Sequence, residues 1–322
     1  MFKVWFRERT PVNAVENINV RPGVEGASAK FCLAVSKLFL KNGPLKRFGF
    51  RKDEITRFDS MDNYVADRVE QISDYQELFG PFVSFKDKTV LELGCNKGYL
   101  INSFWQHEKF DAIGAELDPD ALAVARENYG NDIKFIQTTP EKIPLPDESV
   151  DVVYTIDTVE HLSKPKEIFT ECHRVLRPGG TFLIHFGAWL TPYGSHLEDI
   201  IPIPWANTFF SMNTLLDVAA HLYDSPDYDV ACYFVDQETG KRKPNPFLDK
   251  AKWDEFLNHI TIRKFRKVIR QLPFDIVHME NIGFGGKSFK AGRYLGKLSQ
   301  VPLTEEFFTK ATFAVLKKPM TG

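Results

Sequence analysis

Cysteine is scarce in this 322-residue chain: Cys32, Cys95, Cys172 and Cys232 stand far apart, and none belongs to a CxxC pair. That spacing argues against a disulfide framework and against a thiolate zinc site. Charge of one sign is missing as well. Lys and Arg number 41 against 43 acids, a formal net charge of -2. Nothing therefore draws the whole chain to nucleic acid or to an anionic membrane. No hydrophobic run has the length and purity of a membrane span, so membrane insertion is not expected. The opening Met1-Phe-Lys-Val-Trp-Phe-Arg lacks the apolar core of a secretory leader. The expected compartment is the reducing cytoplasm.

What is plentiful is phenylalanine, with 28 residues. Two readings are open: helix packing, or an aromatic-walled pocket for a planar or apolar ligand. Up to about Lys88 the pattern is helical. Ser28 to Lys41 carries Phe31, Ala34, Val35, Leu38 and Phe39 at helical spacing. Lys30, Lys37 and Lys41 accompany them, and Lys46, Arg47, Arg51 and Lys52 follow. Such a helix either packs on its own domain, the commoner use, or meets a membrane surface or an acidic partner. A second helix is expected over Asp62 to Leu78, with Val65, Val69, Ile72 and Leu78 on one face.

From Thr89 to Phe186 short apolar runs alternate with helical stretches, the mark of βαβ units and a parallel sheet. Strands are expected at Val90–Leu93, Ala112–Ala115, Ile133–Ile136, Val150–Ile156 and Thr181–Phe186. Asp118-Pro119-Asp120 reads as a helix start and Gly130 as its stop. Ile168, Phe169, Cys172, Val175 and Leu176 form one helical face, which ends in the turn Arg177-Pro178-Gly179-Gly180. Leu190 to about Gln271 breaks the alternation with aromatics and prolines, and strands resume at Phe274–Met279 and Thr312–Leu316. The expected fold is α/β: a Rossmann-like, mostly parallel seven-stranded sheet with helices on both faces. It carries N-terminal helices and a helical insertion before the last two strands. The expected divisions are a helical cap region (1–88), a nucleotide-binding core (89–188), a substrate-binding insertion or lid (189–273) and the closing strands (274–322).

The sharpest local signal is Val90-Leu-Glu-Leu-Gly-Cys-Asn-Lys-Gly-Tyr99, a buried strand, a turn and a helix start. Gly94 permits a tight turn, and Gly98 a close approach of helix and ligand. Asn96 stands where a third glycine is usual, and asparagine tolerates positive φ. The dinucleotide fingerprint G-x-G-x-x-G fails here, because counting from Gly94 its other glycines fall on Asn96 and Tyr99. A nucleoside without a pyrophosphate fits better. Glu116 ends the second strand about 20 residues on, where a ribose-binding carboxylate is expected.

These segments resemble the type-11 family of class I S-adenosylmethionine-dependent methyltransferases. The matching residues are Val90 to Gly98, Gly114-Ala-Glu116, Glu141-Lys-Ile-Pro-Leu-Pro-Asp-Glu-Ser-Val-Asp151-Val-Val, Glu160-His-Leu, and Arg174-Val-Leu-Arg-Pro-Gly-Gly180. The resemblance implies S-adenosyl-L-methionine as cofactor. It implies that Gly94, Cys95, Asn96 and Gly98 wrap its methionine and ribose portions. Glu92 would help hold the amino group, Glu116 would bind the ribose, and Leu117 would pack on the adenine. Pro140 and Glu141 would flank the adenine edge. Thr139 stands where the family usually has Asp, which weakens one adenine contact. Ile156 and Asp157 would lie beside the methionine end.

Four residues are candidates for the chemistry: His196 is the first choice of base and His161 the second, Asp157 shapes the methyl-donor side, and His185 either faces the ligand crevice or is buried in the sheet. His196 lies in Thr191-Pro-Tyr-Gly-Ser-His-Leu-Glu-Asp199, just after the fifth strand, and has the right ordinary pKa for a base near neutrality. His161 follows the fourth strand, and His185 lies near the end of the fifth. His185, His196, Glu198 and Asp199 match no metal spacing, so no metal is expected. The expected reaction is methyl transfer to a small-molecule hydroxyl, such as that of a secondary metabolite or sugar. Transfer to nitrogen or carbon, an RNA or protein acceptor, and a non-catalytic cofactor-binding protein are the alternatives. Oligomeric state is not legible.

Overall fold

The computed structural model describes residues 24–42, 61–226, 228, 230–236, 239–283 and 294–320. The basic run from Lys46 to Lys52 lies outside the described residues. In chain order the first elements are α1 (Ala27–Asn42), α2 (Met61–Glu70), α3 (Ile72–Phe79), β1 (Thr89–Leu93), α4 (Tyr99–His107), β2 (Asp111–Glu116), α5 (Pro119–Tyr129) and β3 (Lys134–Gln137). Then come β4 (Val150–Ile156), α6 (Pro165–Val175), β5 (Leu176–Phe186), α7 (Ala206–Phe209), α8 (Met212–Tyr223), α9 (Lys250–Phe256) and α10 (Ile262–Ile269). The last are β6 (Asp275–Gly283), α11 (Glu305–Phe308) and β7 (Thr309–Lys317).

The strands form one seven-stranded sheet in the order β3-β2-β1-β4-β5-β7-β6. β1 pairs in parallel with β2 and β4, β2 with β3, and β4 with β5. β7 runs antiparallel to β5. Parallel neighbours need crossovers, and helices supply them. Side chains alternate across each strand, and both faces are buried. Leu91, Leu93 and Val153 join α6 and α10 through Phe169, Val175 and Phe265. Val90, Val152 and Tyr154 face the other way, against Ile72, Phe79, Phe104 and Leu122 of α3, α4 and α5. This is the doubly covered α/β sheet that the alternation predicts.

Three local expectations need correction. The helix expected over Asp62 to Leu78 is divided at Gln71 into α2 and α3. Its buried face is Ile72, Tyr75 and Phe79, whereas Val69 is 40% exposed. The packing partner, an aromatic cluster under the sheet, selects that face; hydrophobicity alone does not. β5 starts at Leu176, so Arg177-Pro178-Gly179-Gly180 lies within it, as an irregularity in the pairing between Val150 and Val152. Finally, α1 buries the small face Ala29, Cys32 and Ser36, while Phe31 and Leu38 stand exposed.

The described residues belong to two compact units. The sheet unit is drawn from Tyr64–Ala188, Leu257–Ile282 and Lys310–Gly322. The second unit is drawn from Met1–Asn63, Trp189–Phe256 and Gly283–Thr309. In the second unit α1 packs on α8. An aromatic stack, Tyr223, Phe234, Phe247, Trp253 and Phe256, fills its interior, with Phe247 and Trp253 stacked at 5.5 Å. Among the described residues most of the phenylalanine therefore serves packing.

Candidate active site

The loop after β1 lies at the edge of the sheet where the parallel strands end. Gly94 and Gly98 take φ +81° and +80°, and Asn96 takes φ +50°, the left-handed backbone that its side chain tolerates. The amides of Gly94 and Cys95 both donate to the Ala115 carbonyl, at 2.8 and 3.0 Å. A Cβ on Gly94 would lie 2.5 Å from the Thr158 side chain, and one on Gly98 2.9 Å from the Phe135 ring. The close approach expected at Gly98 is thus made by the Phe135 side chain. No side chain caps α4 at Gly98. A helix start of this kind suits an anionic group.

Glu116 does more than end β2. Its carboxylate accepts from the amides of Asn96 (2.8 Å), Leu117 (2.7 Å) and Asp118 (3.1 Å), so it ties the β1 loop to β2. A carboxylate has about four acceptor positions, so capacity remains for a further donor. Leu117 beside it is 38% exposed. Asp118 caps α5 as expected, accepting from Asp120 at 2.8 Å. Thr139, Pro140 and Glu141 lie exposed beyond β3, where Thr139 bridges to Lys142 and Glu141 pairs with Lys164.

Glu92 is buried in β1, in register with Tyr154 of β4. Its Oε2 and the Tyr154 hydroxyl are both buried without a hydrogen-bond partner of good geometry. Burial pushes the Glu92 carboxyl up to about 8, opposed by that hydroxyl and by Arg68. A buried carboxyl oxygen without a donor favours a ligand that brings one.

The ends of β4 and β5 bring together groups far apart in sequence. Asp157 sits at φ +49°, and its amide donates to the His185 carbonyl at 2.9 Å. Its carboxylate lies 3.3 Å from His185 Nδ1 and 3.3 Å from Arg68 Nη1 of α2. His185 and Arg68 hold the Asp157 carboxyl well below its ordinary range, against the effect of burial. Tyr75 packs edge-on to the His185 ring at 5.2 Å. Glu160 is pushed far up, first by burial and then by Asp157. Ile156 is buried in β4. Asn258 pins the turn Val159–His161, its side chain donating to the carbonyls of Val159 (2.7 Å) and Leu162 (2.8 Å). That turn carries His161. His196 lies in the second unit at φ +55°, edge-on to Phe256 at 6.1 Å. Arg68, Tyr75 and Asn258 escaped the sequence reading because no local pattern marks them.

A family model described as "Methyltransferase domain" matches residues 91–184. An uncharacterized methyltransferase of Mycobacterium bovis is 33% identical over 110 residues, which is 34% of this chain and 43% of that relative. Another, of Mycobacterium ulcerans, is 28% identical over 172 residues, 51% of this chain and 66% of the relative. Residues 91–184 are thus similar to a methyltransferase domain.

The chain spans less than half the length of the first of these relatives. A solved S-adenosylmethionine-dependent methyltransferase of Mesorhizobium loti is 16% identical with a TM-score of 0.46, over 77% of this chain and 99% of that one. Within residues 91–184, Arg174 is a staple. It donates to both Glu171 oxygens (2.8 and 2.7 Å), to Asp147 (2.6 Å) and to the carbonyls of Ile143 and Leu145. Its guanidinium brings the Glu171 carboxyl down to about 2. The loop before β4 is thereby fixed to α6. The geometry of the domain suits S-adenosylmethionine: an uncapped helix start, a buried carboxyl lacking a donor, and an exposed leucine beside a carboxylate.

Proposed function

We propose that this chain is an S-adenosylmethionine-dependent methyltransferase acting on a hydroxyl oxygen of a small molecule. The observation that carries the reading is the joining of the Gly94–Gly98 loop to Glu116 beside the buried Glu92. In this reading Gly94, Cys95, Asn96 and Gly98 cradle the methionine and ribose portions, and Glu92 accepts from the amino group. Glu116 accepts from the ribose, and Leu117 packs on the adenine. Thr139, Pro140 and Glu141 flank the adenine edge. Ile156 and Asp157 border the methionine end. When bound, the sulfonium supplies an already activated methyl group.

The residues of the chain then have two tasks, alignment and proton removal. Transfer of that methyl to an acceptor hydroxyl, with the sulfur as leaving group, would require the residues to remove the hydroxyl proton. His185 is favoured as acceptor of that proton. Asp157 faces its Nδ1 at 3.3 Å, which leaves Nε2 to take the proton, and an ionised Asp157 supports the imidazolium. His196 and His161 are the other acceptors in this reading. The second unit would select the substrate. The test is incubation with methyl-labelled cofactor and fractionated cell extract, followed by mass analysis. A methylated hydroxyl compound is expected. Saturable cofactor binding with no methylated product would contradict the reading and favour a binding protein.

A further inference from the structure

The second unit holds large apolar side chains in water. On α1, Phe31 and Leu38 are 64% and 57% exposed. Lys30 and Lys37 adjoin them at the same spacing, both exposed, and α1 contains no acid. The Phe31 ring lies 6.3 Å from Phe210, and the neighbouring Phe209 of α7 is 70% exposed. Trp205, just before α7, donates from Nε1 to the Phe307 carbonyl of α11 at 2.8 Å. Ahead of α11 stands the exposed turn Val301-Pro302-Leu303, with Leu303 91% exposed.

Leu303 is the telling residue. It is held at φ +80°, where a branched side chain is strained and glycine or asparagine is at ease. The turn that holds it is well bonded. The Val301 amide and the Thr304 hydroxyl both donate to the Leu298 carbonyl, at 3.2 and 2.8 Å, and the Glu305 amide donates to the Val301 carbonyl at 3.0 Å. A strained, displayed leucine has no use in water, and strain of this kind collects at working surfaces.

We propose that the second unit docks on the surface of an anionic lipid bilayer through Phe31, Leu38, Phe209 and Leu303, with Lys30 and Lys37 facing the headgroups. Phenylalanine and leucine interleaved with lysine on a helix are the composition of elements that lie in the membrane interface. Glu305 and Glu306 follow Leu303, so the charge match rests on α1. The contrast with α10 is instructive. α10 is more basic, but its apolar face, Ile262, Phe265 and Ile269, is already buried in the sheet unit. Among the described residues no helix is long and apolar enough to cross a membrane, so the docking is peripheral. It does not depend on the methyl-transfer reading.

The test is flotation of the full chain with vesicles of phosphatidylcholine alone and of phosphatidylcholine mixed with phosphatidylglycerol. The protein should float with the mixed vesicles, less so at high salt. Leu303→Asn should weaken binding by about tenfold while raising the melting temperature, because strain is relieved as the apolar contact is lost. Lys30→Gln and Lys37→Gln should each weaken it by about fivefold. No flotation with either vesicle, or undiminished flotation of Leu303→Asn and Phe31→Ser, overturns the proposal. Absent flotation with concentration-dependent dimers in sedimentation would assign the surface to a second copy of the chain.

Discussion

In the sheet unit the loop before β4 is held by charges; the interior of the second unit is filled by rings, with Arg242 stapling the carbonyls of Tyr223, Ser225 and Tyr228 beside them. Arg174 makes five hydrogen bonds to the loop before β4 and to Glu171. Arg177 meets Asp151 at 2.6 Å, and Asp151 in turn accepts from the Thr89 amide. The second unit is centred on Trp253, which is 1% exposed, stacked on Phe247 and bonded from Nε1 to the Pro246 carbonyl. Charged staples fix the position of a backbone loop, which a binding site needs. Aromatic stacks fill volume and tolerate irregular chain, which suits an insertion between strands.

The largest effect should come from breaking the aromatic side of this comparison. Trp253→Ala should destabilise the protein by about 4 kcal/mol, since it empties a buried aromatic site. Hydrogen exchange should then rise in residues 212–256 before it rises in β1 and β4. Uniform loss of protection across both units would show that the two regions are not separately held. On the charged side, Arg174→Ala should cost about 3 kcal/mol, because two carbonyls lose their side-chain donor and Glu171 keeps only the Ile143 amide and Lys142. Chemical denaturation checks the magnitude. Exchange should quicken in residues 142–149 and leave α8 unchanged.

A smaller effect sharpens the comparison through pH. The Glu92 carboxyl ionises near 4.5 when unfolded and near 8 when folded. Below the lower value both states keep the proton and the contribution to stability is full. Between the two only the unfolded chain releases it, so stability falls as pH rises and the loss is complete above the folded value. Glu92→Gln should flatten that slope in a series of melts. The part that remains belongs to the other buried carboxyls pushed up, Glu160 in the sheet unit and Glu198 in the second unit, the latter to about 8, by burial and then by Asp199. An unchanged slope would remove Glu92 from the buried carboxyls that govern it.

The same contrast explains what was legible in the sequence. The strands of the sheet unit announce themselves because both faces are buried, as in Val150 to Ile156, and turn chemistry punctuates them. Asn96 was legible because positive φ selects few residues. The Arg68–Asp157–His185 network was not, since its members meet only when α2 folds against the ends of β4 and β5. Glu116 was legible as an acid at the right distance, but its hold on the Asn96 amide needs three dimensions. α1 misled for a related reason: apolar spacing marks a helix face, yet the packed face is the small one, Ala29, Cys32 and Ser36.

The central claim is tested most directly by calorimetric titration with S-adenosylhomocysteine, the demethylated form of the cofactor. One saturable site is expected, lost in Gly94→Ala, whose Cβ would meet Thr158 at 2.5 Å in a left-handed turn. No heat with this ligand, together with tight binding of NADH, would contradict the account.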